Sequence, residues 1–174
     1  MQQRSGLHRR TVLGLFAGAA LTGAWTVNAR AAPRLPARRP AAQLGDGTLT
    51  IRFDSAMRSQ ISLGTNALTA FAASETLNLH DGSRIEDFLL LDHRREAITD
   101  VHGAGERHQL RGVAAGRVEK LLTITFYTRY PGLALLDIAY RNIGGQALAI
   151  AGWQSAAHSL LPHRDGAWSF SGAS

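Results

Sequence analysis

The chain of 174 residues contains no cysteine, so neither a disulfide scaffold nor a thiolate zinc site can be built from it. Aromatic residues make up only 7% and charged residues 18%, against 45% hydrophobic. That balance excludes low-complexity disorder and fits a folded domain. Lysine is nearly missing: Lys120 is the only one among 19 basic residues. No helical-period stretch appears beyond the N-terminal segment, and no H-E-x-x-H or other pair of histidines at helical ligand spacing occurs. Gly103-Ala104-Gly105 is followed by neither a helix nor a Walker lysine, and no G-x-S-x-G elbow exists. Nucleotide-loop, zincin and α/β-hydrolase chemistries are thereby excluded.

An excess of one sign of charge is also missing from the body. The formal net charge is +6, but Arg4, Arg9, Arg10 and Arg30 fall in the first 31 residues, where there is no acid. From residue 32 onward 15 basic residues face 13 acidic ones. With no basic stripe, nucleic-acid binding has no electrostatic footing.

What is present begins with an export pattern. Arg4, His8, Arg9 and Arg10 precede an uncharged stretch, 11–28, rich in Ala, Gly and Leu, and Ala29-Arg30-Ala31 fits the small-x-small cleavage rule before Ala32. The apolar part has signal length, short of the roughly 20 residues of a spanning helix. Arg9-Arg10 ahead of Thr11-Val12-Leu13 matches a twin-arginine signal. Residues 1–31 are therefore expected to direct export to the periplasm or the exterior, with no stable membrane span left after cleavage. Residues 32–45 carry three prolines and three arginines without apolar periodicity and read as a linker.

Residues 46–174 read as strands. Leu49, Ile51 and Phe53 alternate with polar neighbours, the period of a half-buried strand. Short strands are expected at 60–63, 68–71, 76–79, 88–91 and 97–101, separated by Gly64-Thr65-Asn66 and Asp81-Gly82-Ser83 turns. From Val118 to Tyr130 one face carries Leu122, Ile124, Phe126, Thr128 and Tyr130. After Pro131-Gly132, Leu136, Ile138 and Tyr140 alternate again, and a third strand runs from Leu148 and Ile150 to Trp153. The expectation is a three-stranded meander within an all-β antiparallel sandwich.

Candidate chemistry is sparse. His80, His93, His102, His108, His158 and His163 show no ligand spacing and read as structural or solvent-exposed. No His–Glu pair stands out as a base and acid for sugar epimerisation. Glu86-Asp87 and Asp92 are acids flanking 88–91, a geometry that glycosidic chemistry can use, but read as solvated surface. Trp153, Trp168 and Phe170 are the better candidates, since aromatic faces stack on sugars or fill interfaces. The chain ends on Trp168-Ser169-Phe170-Ser171-Gly172-Ala173-Ser174 without a polar tail, which reads as a break within a longer structure.

Pro131-Gly132-Leu133, Leu136-Asp137-Ile138-Ala139-Tyr140-Arg141-Asn142, Trp153 and the terminal segment from Trp168 to Ser174 together resemble the N-terminal β-sandwich domain of bacterial α-galactosidases, the clan of glycoside hydrolase family 36 and its melibiase-like relatives. The resemblance spans residues 46–174. It implies a galactose-mutarotase-like super-sandwich that packs beside a catalytic (β/α)8 barrel, with Trp153, Trp168 and Phe170 at the substrate or domain interface. The family's lysine-x-aspartate motif is absent, because Leu121-Leu122 follow Lys120. No catalytic residue, metal site or cofactor is therefore assigned. The expected function is a non-catalytic module of an exported α-galactosidase-like enzyme whose barrel partner lies outside this chain. The alternative is a free-standing exported carbohydrate-binding or scaffold module.

Overall fold

A computed structural model describes residues 7–13, 41–114 and 117–161. These residues form twelve antiparallel strands in three sheets, with no helix among them. The architecture is an all-β sandwich whose sheets do not close into a barrel.

The largest sheet contains β1 (Leu7–Leu13), β8 (Leu89–Asp100), β9 (Gly103–Ala114), β10 (Val118–Tyr127) and β11 (Ala134–Asn142), in the order β1-β11-β10-β9-β8. The second holds β2 (Ala42–Gly45), β3 (Leu49–Phe53), β4 (Ser59–Leu63) and β5 (Asn66–Ala67) in sequence order. The third has β6 (Thr76–Leu79) between β12 (Ile150–Gln154) and β7 (Arg84–Ile85). One apolar cluster joins them. Leu44, Leu49, Ile51, Phe53 and Ile61 meet Leu110, Leu122, Ile124, Phe126, Leu136 and Ile138, with Leu77, Leu79 and Ile85 of the third sheet. The alternation visible in β3, β10 and β11 places these side chains inside, because successive residues of a strand face opposite sides.

The outward face of the large sheet is salt-laced. Arg107 pairs with Glu96 across β9 and β8, while Arg111 and Arg141 both reach Glu119 of β10. Such exposed pairs add little stability but keep this face wet.

Besides the short strands β5 and β7 and the end of β10 at Tyr127 rather than Tyr130, the fold departs from the expected strands at four places between residues 42 and 154. The stretches 88–91 and 97–101 are parts of one strand, β8, which forms a long hairpin with β9. Its turn is closed by Asp100 Oδ1, which accepts from the His102 N–H at 2.8 Å. Gly103 completes the turn with φ 107°, a conformation open to glycine. The hairpin hides from pattern reading because most of β8 is solvent-exposed on both faces. Second, 68–71 is not a strand: the Thr69 hydroxyl takes the Ile61 N–H at 2.8 Å, replacing a ladder bond with a side-chain one. Third, β12 does not continue the meander. It crosses to the third sheet and pairs with β6, and the meander is instead β8-β9-β10-β11. Fourth, β2 lies inside the stretch read as a linker, with Ala42 and Leu44 buried against β3.

β1 runs antiparallel along the edge of β11, with Arg9 opposite Ile138 and Arg10 opposite Asp137 in register. The same residues that read as the start of an export signal thus satisfy an edge strand whose N–H and C=O groups would otherwise be open.

Candidate functional site

The inward face of β10 runs Val118, Lys120, Leu122, Ile124, Phe126, and all five are buried. Period two therefore carries the single lysine into the interior, where its exposure is 0%. Its cross-strand neighbours are Gly112 of β9 and Tyr140 of β11. A side chain at Gly112 would collide with the Met57 sulfur and crowd Phe88. The bare glycine lets both fold over the sheet. The Phe88 ring sits with its centroid 4.6 Å from Lys120 Nζ and 5.9 Å from the Tyr140 ring. The amine is thus held on an aromatic face, a favourable placement for a cation out of water.

Lys120 Nζ donates to Glu75 Oε2 at 3.4 Å, and Glu75 is itself buried immediately before β6. Beside it the Ser74 and Ser59 hydroxyls are 2.5 Å apart. His158 Nε2 stands 3.4 Å from Ser59 Oγ. The Tyr140 hydroxyl and His158 Nδ1 are both buried and have no hydrogen-bond partner among the described residues. Burial makes Lys120 release its proton more readily than an exposed lysine, against the pull of Glu75. Burial, reinforced by the Glu75 carboxylate, pushes the Tyr140 phenol up. His158 is pushed down by burial, with Glu75 opposing. An amine, a carboxylate, a phenol, an imidazole and two hydroxyls thus share one interior, the kind of grouping in which perturbed titration accompanies function.

A second cluster lies on the β8–β9 hairpin. His93 Nε2 is 3.1 Å from His108 Nδ1, and their rings stack at 5.3 Å between centroids. His108 Nε2 is 2.6 Å from Glu106 Oε1. Arg95 pairs with the same carboxylate. Burial lowers the His108 pKa, against the pull of Glu106. A His–Glu pair therefore does exist, contrary to the reading of the sequence. It is formed two residues apart along one strand face and covered by His93 from the neighbouring strand. Among the described residues no group of three His, Asp or Glu side chains is arranged to hold a metal ion.

Of the aromatic candidates, Trp153 lies on the edge strand β12 and is 40% exposed. Trp168 and Phe170 lie outside the described residues, as do Ala29, Ala31 and His163. Arg9 and Arg10 fall within β1. Of the acids read as surface, Asp87 is exposed and pairs with Arg58 at 2.7 Å, while Glu86 and Asp92 are half-buried, with Asp92 pairing to Arg94 at 2.9 Å. His80, His93 and His102 are exposed. Sequence reasoning missed Glu75, Ser59, Ser74 and Tyr140 as a set, and valued Lys120 only for its motif. One signal was available: the alternation through Leu122, Ile124 and Phe126, extended two residues back, puts Lys120 on the core face.

Fold and site together define an open antiparallel β-sandwich with a buried ionic centre. No family model matches the chain, and neither does any curated protein or solved structure.

Proposed function

We propose that the chain is a non-catalytic β-sandwich module of an exported α-galactosidase-like glycoside hydrolase, which works by docking against a catalytic (β/α)8 barrel. One observation carries this reading. Ile150 and Trp153 on β12, an edge strand among the described residues, and Leu161 beyond it are all more than a third exposed. Apolar side chains left in water at a free edge are the surface a partner domain covers. Export follows from the Arg9-Arg10 and Ala29-Arg30-Ala31 pattern, and a cut before Ala32 would take β1 with it.

A second reading is a free-standing carbohydrate-binding module, in which the 40% exposed Trp153 indole stacks on a sugar ring. Titration calorimetry with α-galactoside oligosaccharides separates the two. The docking module shows no saturable heat, and its melting temperature holds in Trp153→Ser. Saturable binding abolished by Trp153→Ser selects the carbohydrate-binding module. A melting temperature lowered by many degrees in that variant refutes docking through Trp153.

A further inference from the structure

We propose that Lys120 is a covalent binding site for a small neutral carbonyl compound, an aldehyde or ketone, held as an imine in the polar interior between β6, β10 and β11. This inference is independent of the docking reading.

Four observations lead to it. The chain uses arginine at every basic position except this one, and this one is buried. Arginine cannot shed its proton in a protein, whereas a buried lysine can and then becomes a nucleophile. Second, a buried ion pair is no better for stability than apolar side chains of the same volume, so packing alone does not call for Glu75 and Lys120. Third, two buried polar atoms, Tyr140 Oη and His158 Nδ1, lack partners among the described residues. Tyr140 stands directly across the strand pair from Lys120, close enough for the side chains to meet around one small molecule. A buried polar atom needs a hydrogen-bond partner, which a bound ligand can supply. Fourth, among the described residues the non-glycine positions with left-handed backbone are Met57 and Ala156, both at φ 54°. Met57 packs over Gly112 next to Lys120, and Ala156 lies in the strap that carries His158. Strain of this kind gathers at functional sites.

The chemistry balances without an oxidant or reductant. The neutral Lys120 Nζ attacks the carbonyl carbon, forming the C–N bond, and the C=O π pair moves to oxygen, where Tyr140 Oη donates a hydrogen bond. Glu75, 3.4 Å from Nζ, takes one proton from nitrogen and passes it to that oxygen. A second proton follows the same route, the C–O bond breaks, and water leaves as the nitrogen lone pair closes the C=N bond. Glu75 repels an anionic substituent, so the ligand is neutral. Entry is from the side of Tyr140 and His158, which are only partly buried.

The single lysine makes the test clean. The full chain is incubated with glycolaldehyde and sodium cyanoborohydride, and adducts are located by peptide mass mapping. The native chain is expected to carry an adduct at Lys120, formed faster than at the same lysine in urea. Tyr140→Phe or Glu75→Gln should slow it by about tenfold or more, and Lys120→Arg should abolish it. Pyruvate, the anionic probe, should label Lys120 far more slowly. Labelling confined to the α-amine, a Lys120 that reacts only after unfolding, or equal labelling by pyruvate would each overturn the proposal.

Discussion

Removing one half of the Glu75–Lys120 pair should harm the protein far more than removing both. The Lys120 and Glu75 side chains are 1% and 2% exposed, with 3.4 Å between Nζ and Oε2, so neither charge can turn to water when its partner is lost. Lys120→Met keeps the stem packed under Phe88 but strands Glu75. Glu75→Leu leaves the amine with only the Phe88 ring. Each single change should cost about 3–5 kcal/mol, the penalty of an uncompensated buried charge. With a urea slope of about 2 kcal/mol per M, the midpoint should fall by about 1.5–2.5 M. The double variant Glu75→Leu/Lys120→Met buries two apolar side chains instead and should return to within about 1 kcal/mol of the parent, or exceed it. Glu75→Leu should also recover stability as pH rises. Lys120 in the folded chain already gives up its proton below the ordinary 10.5. Between that lowered value and the unfolded one, the unfolded chain binds more protons, so raising the pH favours the fold. Urea unfolding of the four proteins, followed by circular dichroism, decides the matter. If the double variant is as unstable as the sum of the singles, to within about 0.5 kcal/mol, the pair is not coupled and the account of the buried centre fails.

Gly112→Ala should cost about 1–3 kcal/mol by overpacking, because the new methyl meets the Met57 sulfur, with the Leu89 carbonyl at 3.1 Å and Phe88 Cβ at 3.2 Å; an unchanged thermal melt would show that Phe88 and Met57 can retreat. His108 sits below its ordinary 6.5 because burial disfavours its charge, and His158 is lowered for the same reason. The unfolded chain therefore takes up protons first as pH falls through about 6.5. Stability should drop from neutral pH toward about 5, and His108→Gln should flatten that slope; a parallel slope in the variant refutes it. Replacing Arg9 and Arg10 by lysine should hold the precursor in the cytoplasm on the twin-arginine route, read by fractionation and immunoblot, and undiminished export excludes that route. A chain beginning at Ala32 should exchange the outward amides of β11 between Ala134 and Tyr140 faster than the full chain, since β1 pairs along that stretch; equal protection would show that β1 adds nothing there.

How far the sequence reaches differs from strand to strand. Leu49–Phe53, Thr76–Leu79 and the paired run of β10 and β11 are legible because alternation and turn chemistry are local properties, written within a few residues. The class of fold follows from them. The same local code conceals β8, whose Asp-His-Arg-Arg-Glu run has no buried face to alternate toward, since it stands at the sheet edge. Which sheet β12 joins was settled by tertiary pairing alone. Ile150 and Trp153 are equally good strand residues beside β11 or beside β6, and only the register with Leu77 and Leu79 chooses. The buried centre lies further still from local reach. Alternation turns Lys120 inward, but what awaits it there, Glu75 from 45 residues earlier in the chain, Phe88 lying over Gly112, and Tyr140 across the ladder, is decided by long-range strand pairing. A sequence states the period and face of each strand. The partners that a buried charge finds depend on which strands come together, because desolvation and Coulomb attraction act through space and not along the chain.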